Sequence, residues 1–142
     1  MSLEKNIDVL GIGNAIIDVI ANADDAFLES HNLNKGSMTL VDETISKNIY
    51  AEMENKVQMS GGSAANTIFG LSELGCKSAF IGKRSDDELG NIFHSDLVNS
   101  NIIFTTSPLD TGEPSARCLI LVTSDAERTM ATFLGSSSKL TL

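Results

Sequence analysis

The sequence predicts an α/β fold carrying some added β-structure. Three observations support it. Short apolar runs of strand length alternate with longer segments of helical periodicity. Glycine or a polar cluster punctuates most junctions. Two apolar runs, 116–123 and 128–134, face each other across the turn Ser124-Asp125-Ala126-Glu127 as a returning pair. The 142 residues match the usual size of one domain, and 42% apolar residues suffice for a core.

Residues 7–13 predict a buried strand ending in Gly11-Ile12-Gly13-Asn14. A dinucleotide fingerprint would need a third glycine at position 16, where Ile16 stands. The apolar run continues through Ala15, Ile16 and Ile17 to Asp18, then Val19 and Ile20. A carboxylate inside such a run needs a partner, because burying it alone is costly. Asp18 is therefore either a capped structural acid or a ligand-binding acid. Residues 24–31 predict a short helix or turn, Asn34-Lys35-Gly36 a turn, and 37–41 a strand. Residues 42–54 predict a helix with Asp42 as N-cap and Ile45, Ile49 and Met53 on one face. Residues 57–60 lead as an extended piece into a double glycine.

The stretch Gly61-Gly62-Ser63-Ala64-Ala65-Asn66 organises the chain. Ile68, Leu71 and Gly75 continue a helical spacing from Ala64, with Gly75 as the stop, and 77–82 predicts a short buried strand. The glycines thus sit where a loop becomes a helix N-terminus. Such an end exposes N–H groups without intrahelical partners and carries the positive end of the helix dipole. Glycine lets a polar or anionic ligand approach closely. Ser63 is the predicted N-cap, and Asn66, one turn in, offers a donor and an acceptor. The same residues also suit a well-capped, tightly packed helix start with no ligand.

Residues 83–88 form a polar loop into a helix whose apolar face is Leu89, Ile92, Phe93 and Leu97. Residues 102–104 predict a strand, 105–113 a turn-rich loop holding Pro108 and Gly112, and the tail from Gly135 is small and polar. The two cysteines, Cys76 and Cys118, lack metal-ligand spacing and read as buried free thiols in a reducing compartment. Ten basic against nineteen acidic residues give a net charge of -9. That argues against non-specific nucleic-acid or anionic-membrane binding. Glu4, Lys5, Asn6 and Asp8 interrupt any apolar leader, and no stretch reaches membrane-spanning length, so a cytoplasmic protein is expected.

GIGNAIIDV, then GGSAANTIFGLSELG, then FIGKRSDDELG, in this order, resemble the N-terminal part of the ribokinase-like (PfkB) carbohydrate kinases. Paired glycines, Asn66, Gly75 and Gly82 match that family's first sequence pattern. The run from Gly11 to Glu43, and the stretch from Thr111-Gly112 through Glu127-Arg128-Thr129 to Leu134, look most like adenosine kinases and their bacterial relatives. The resemblance implies a three-layer, parallel α/β sheet with a small β-lid, here segments 19–41 and 115–134, over the substrate. It implies that Asp18 accepts from two sugar hydroxyls, with Asn14 a nearby polar contact. Gly61, Gly62, Ser63 and Asn66 would hold the sugar, and Arg128 would either lie near the transferred phosphate or be a salt-bridged surface arginine. Ile16 and Leu40 would either touch a ring of the substrate or pack in the core. ATP and Mg²⁺ are the implied cofactors, a sugar or nucleoside the implied partner, and lid-to-lid pairing of two copies the implied assembly.

One departure is large. The family's second pattern, Asp-Thr-x-Gly-Ala-Gly-Asp, carries its general base and does not occur in the 142 residues. Residues 1–142 are thus expected to be the substrate-binding N-terminal part of a kinase for a primary hydroxyl, inactive alone. The ATP-binding and catalytic part would lie outside them. The alternative is a non-catalytic sugar- or nucleoside-binding module.

Overall fold

The computed structural model describes residues 6–110 and 112–141. Glu4, Lys5 and Thr111, invoked above, lie outside the described residues.

The opening apolar run does not form one strand. It breaks at Gly13 into β1 (Val9–Ile12) and β2 (Ile16–Asn22), which enter different sheets. The chain continues through α1 (Asp25–Ser30), β3 (Met38–Leu40), α2 (Glu43–Glu52), β4 (Val57–Gly61) and α3 (Ser63–Glu73). Then come β5 (Ser78–Ile81), α4 (Glu88–Asn99), β6 (Ala116–Val122), β7 (Arg128–Phe133) and a 3-10 turn, Gly135–Lys139. β1 and β5 pair in parallel as a two-stranded sheet. The other five strands form one mixed sheet in the order β3-β7-β6-β2-β4. The α/β class is as predicted, and β6–β7 is the predicted hairpin. Segments 19–41 and 115–134 supply β3, β6, β7 and most of β2 to the mixed sheet, and β4 completes its edge.

Aspartates set three helix starts. Asp24, Asp42 and Asp87 each accept from the backbone N–H three residues on, at 2.8 Å. Each bond satisfies a donor that the first helical turn leaves orphaned.

One face of the mixed sheet is the core. Ile17, Val19, Ala21, Leu119, Leu121 and Ala131 alternate inward along their strands and are buried. Ile49 of α2, Met53 at its C-cap, and Phe93 and Leu97 of α4 belong to the same cluster. Phe80, Phe93 and Phe104 meet with ring centroids 5.6 to 6.0 Å apart, tilted or edge-on, which suits their quadrupoles. This triad ties β5 to α4 and to the segment after it.

Several expectations need correction. β1 is not a buried strand: Leu10 and Ile12 are 51% and 62% exposed, since only one face of β1 packs on α3. Residues 102–104 form a single bridge, Ile103 to Ala79, although Ile102 and Phe104 are buried. On α2 the inward residue is Ser46 rather than the exposed Ile45, because the Arg117 Nε–H donates to Ser46 Oγ at 2.7 Å. Arg84 and Ser85 of the polar loop are buried, as are Ser136 and Ser137 of the tail. Cys118 is buried, Cys76 only half so, and both thiols are free.

The aromatic triad predicts a large truncation cost. Phe93→Ala should lower unfolding free energy by about 3–5 kcal/mol through lost burial and a residual cavity. Chemical denaturation checks this; a loss under about 1 kcal/mol would mean the three rings are not a unit.

Candidate functional site

Strand register places Asp18 on the sheet face opposite the core. Asp18 pairs with Met59 of β4 and Cys118 of β6. Cys118 pairs with Thr132 of β7, and Thr132 with Leu40 of β3. Directly paired residues share a face. Leu40, Thr132, Cys118, Asp18 and Met59 therefore form one row across the whole sheet. The row is a shallow trough: Leu40 and Met59 stand 62% and 46% exposed at its edges, while Cys118 and Thr132 are 7% and 8% exposed. The Thr132 Oγ1–H donates to Cys118 Sγ at 3.3 Å.

Gly61 lies two residues beyond Met59 and on the same face. A Cβ there would overlap the carboxyl carbon and both oxygens of Asp18. The Asp18 carboxylate thus sits directly over the Gly61 α-carbon. Gly62 then turns the chain with φ +90° and is itself the N-cap of α3, with no side-chain cap bond. This corrects the expectation for Ser63. The turn needs the left-handed backbone that glycine adopts readily, which shifts the cap one residue earlier. Ser63 is the exposed first helical residue, and its carbonyl accepts from Thr67 Oγ1–H at 2.9 Å. The first helical bond runs from Asn66 N–H to Gly62 O at 2.9 Å, so the N–H groups of Ser63, Ala64 and Ala65 lack intrahelical acceptors.

Asn14 reaches the same corner. A Cβ on Gly13 would come 2.8 Å from Ala64 Cβ, and one on Gly62 would lie 3.1 Å from the Asn14 carbonyl oxygen. The two glycines let the β1–β2 junction and the start of α3 close on each other. Asn66 is exposed one turn in and borders a groove with Met59, Ser60 and Asp96, which Asp18 does not line. Ile16 is buried against Ala116 and Gly62, whereas Leu40 stands exposed. Arg128 is exposed and pairs with Val122, opposite Asn22. It shares the Asp18 face, but four residues further along the strands, about 13 Å by strand rise. Among the described residues it forms no ion pair.

Burial raises the Asp18 pKa, and no donor among the described residues offsets it. The carboxylate is thus not a capped structural acid. Burial also pushes the Cys118 thiol up; the Thr132 bond opposes this and the Asp18 charge adds to it. No three His, Cys, Asp or Glu side chains among the described residues could together hold a metal ion. None of the helices described is long and apolar enough to cross a membrane.

Sequence reasoning missed Cys118 and Thr132 as neighbours of Asp18. Their shared face depends on inter-strand register, which no local pattern encodes. The alternation within 116–123 and 128–134 was the available signal.

Comparison with known proteins decides the family. The pfkB family carbohydrate kinase pattern matches residues 6–142. The chain belongs to this family. Among solved structures of such kinases, it superposes on adenosine kinase from Sinorhizobium meliloti with a TM-score of 0.85 and 47% identity, covering 94% of this chain and 41% of that one. A probable sugar kinase from Rhizobium etli gives 0.85 and 39%, with the same 94% and 41% coverage. Guanosine-inosine kinase of Escherichia coli K12 is 28% identical over 139 residues, 93% of this chain and 32% of that protein. The chain therefore spans about a third to two fifths of the length of these kinases.

The raised Asp18 pKa fixes the sign of a pH effect. The folded state holds its proton to higher pH than the unfolded chain, so stability falls as pH rises through about 4 and beyond, and the cost persists at neutrality. Asp18→Asn removes this titration. The variant should melt at an equal or higher temperature than the parent at pH 7, and lose that advantage below about pH 4. A clearly lower melting temperature at pH 7 would show that the carboxylate stabilises the fold.

Proposed function

We propose that this chain is the substrate-binding part of an ATP-dependent kinase that phosphorylates a primary hydroxyl of a sugar or nucleoside. The observation carrying this reading is the Asp18 carboxylate, without a hydrogen-bond or ion-pair partner among the described residues, over the Gly61-Gly62 turn and beside the uncapped start of α3. A half-buried carboxylate without an internal donor suits neutral hydroxyls, from which it accepts two charge-assisted bonds. The names of its relatives, adenosine kinase, guanosine-inosine kinase and probable fructokinase, favour a substrate with such hydroxyls.

In this reading the chain's residues bind and orient. Asp18 anchors two adjacent hydroxyls. Gly61 and Gly62 let the ring approach the backbone, where the free N–H groups at Ser63 and beyond, with Asn14, offer further polar contacts; Asn66 would take part only if the substrate extends into the adjoining groove of Met59, Ser60 and Asp96. Arg128, exposed and in no ion pair among the described residues, would meet the transferred phosphate from the same sheet face, about 13 Å along the strands from Asp18. The mixed sheet acts as the lid, through segments 19–41 and 115–134, and its exposed strands would carry any pairing of two copies. ATP and Mg²⁺ supply the phosphoryl group and its charge neutralisation in a complete enzyme. A cytoplasmic location fits the reading.

Two outcomes test it. In the full-length protein, Asp18→Asn exchanges an acceptor for a donor. Charge-assisted bonds contribute about 1.5–3 kcal/mol each, so losing one should weaken substrate binding by one to two orders of magnitude. ATP affinity should stay unchanged. Titration calorimetry with nucleosides and sugars measures both; unaltered substrate affinity in the folded variant would end the assignment. The second outcome concerns residues 1–142 expressed alone, which should show no phosphoryl transfer because most of the groups that would position phosphate, Arg128 excepted, are expected outside them. Robust ATP-dependent turnover by that polypeptide would contradict the division of labour.

A further inference from the structure

We infer that Thr132 is a specificity-determining residue of this site, whose hydroxyl accepts a hydrogen bond from an N–H donor on a nucleobase held across the trough. The inference rests on the reading of Asp18 as the hydroxyl anchor. Three features of the sheet carry it.

The first is position. Asp18, Cys118 and Thr132 occupy one row on β2, β6 and β7, three adjacent strands. Adjacent strands lie about 4.7–4.9 Å apart, so Thr132 sits roughly 10 Å from Asp18 across the sheet. That matches the span from the vicinal hydroxyls of a nucleoside to the outer edge of its base. A monosaccharide anchored at Asp18 ends over Cys118.

The second is shape. Cys118 and Thr132 form the low floor of the trough, and the exposed Leu40 forms its wall on the β3 edge. A flat ring laid on this floor meets Cys118 below and Leu40 at its far side. Met130 and Ile120 are apolar, lie one row along on the same face, and pack against this cluster. Thr132 is therefore the hydrogen-bonding group on an otherwise apolar stretch between Cys118 and the Leu40 edge.

The third is hydrogen-bond polarity. The Thr132 hydroxyl donates to Cys118 Sγ at 3.3 Å. A hydroxyl has one donor and two acceptor lone pairs, so what it offers a ligand is an acceptor. The complementary substrate carries an N–H on its base edge, as an exocyclic amino group or a ring N–H does.

The test uses the full-length protein and four ligands: adenosine, inosine, purine riboside (which has no N–H on its base) and ribose. Thr132→Val keeps the shape and removes the hydroxyl. Thr132→Ser keeps the hydroxyl. Thr132→Val should weaken adenosine or inosine about threefold to tenfold, the range of one ordinary hydrogen bond, and leave purine riboside and ribose unchanged. Thr132→Ser should restore the loss. A merely structural role would lower the melting temperature and weaken all ligands alike, and that outcome overturns the inference, as does no change for any ligand. Asp18→Asn is measured alongside. If it weakens every ligand while Thr132→Val weakens none, only this inference fails; if it weakens none, the anchor reading itself fails.

Discussion

The close seat of the Asp18 carboxylate over the Gly61 α-carbon is the constraint on which the site depends. Position 61 must lack a side chain for the acid to lie there at all. The same residue ends β4, so the strand that pairs with β2 delivers the turn into α3 at the height of the carboxylate. Gly62 completes the arrangement with a backbone angle that leaves the helix start without a side-chain cap. An acceptor and a set of backbone donors thus face one corner, and none of them has a hydrogen-bond partner among the described residues. Leaving such groups without partners costs stability, and sites that bind polar ligands commonly carry that cost.

The mixed sheet explains how distant segments reach that corner. β2 lies between β6 and β4, and each neighbour brings a different part of the chain to the Asp18 face. From β4 come Met59 and Gly61, with Gly62 just beyond its end. From β6, and through it β7 and β3, come Cys118, Thr132 and Leu40. The opposite face of the same strands is the core, so one alternation of residues serves both stability and the site. The Phe80–Phe93–Phe104 triad stands behind this layer and joins it to the two-stranded sheet.

Much of this was legible in the sequence, for physical reasons that differ by element. Asp42 announced its helix because a capping carboxylate is a local device. The hairpin was legible from two apolar runs and a polar turn. Asp18 stood out because a lone acid in an apolar run has few explanations. What was not legible depends on non-local pairing. The break at Gly13 sends one apolar run into two sheets. Ser46 and Arg84 are buried through partners distant in sequence or hidden in the fold, such as Arg117 and Asn91. The Ser63 cap was misplaced because the φ of Gly62, not the capping preference of serine, sets the helix start. The row from Met59 through Asp18 to Leu40 exists only once the register of four strand pairs is known.

The central claim is that Gly61 exists to seat the Asp18 carboxylate for substrate, and a double-mutant cycle tests it most directly. Substrate affinity is measured by calorimetry for the full-length protein, Gly61→Ala, Asp18→Asn and the double variant, with melting temperatures to confirm folding. If the alanine methyl acts by displacing the carboxylate, each single change weakens binding and the double variant is little weaker than the worse single one, a coupling of about 0.5–3 kcal/mol. Fully additive losses, or undiminished affinity in a folded Gly61→Ala, would contradict the account.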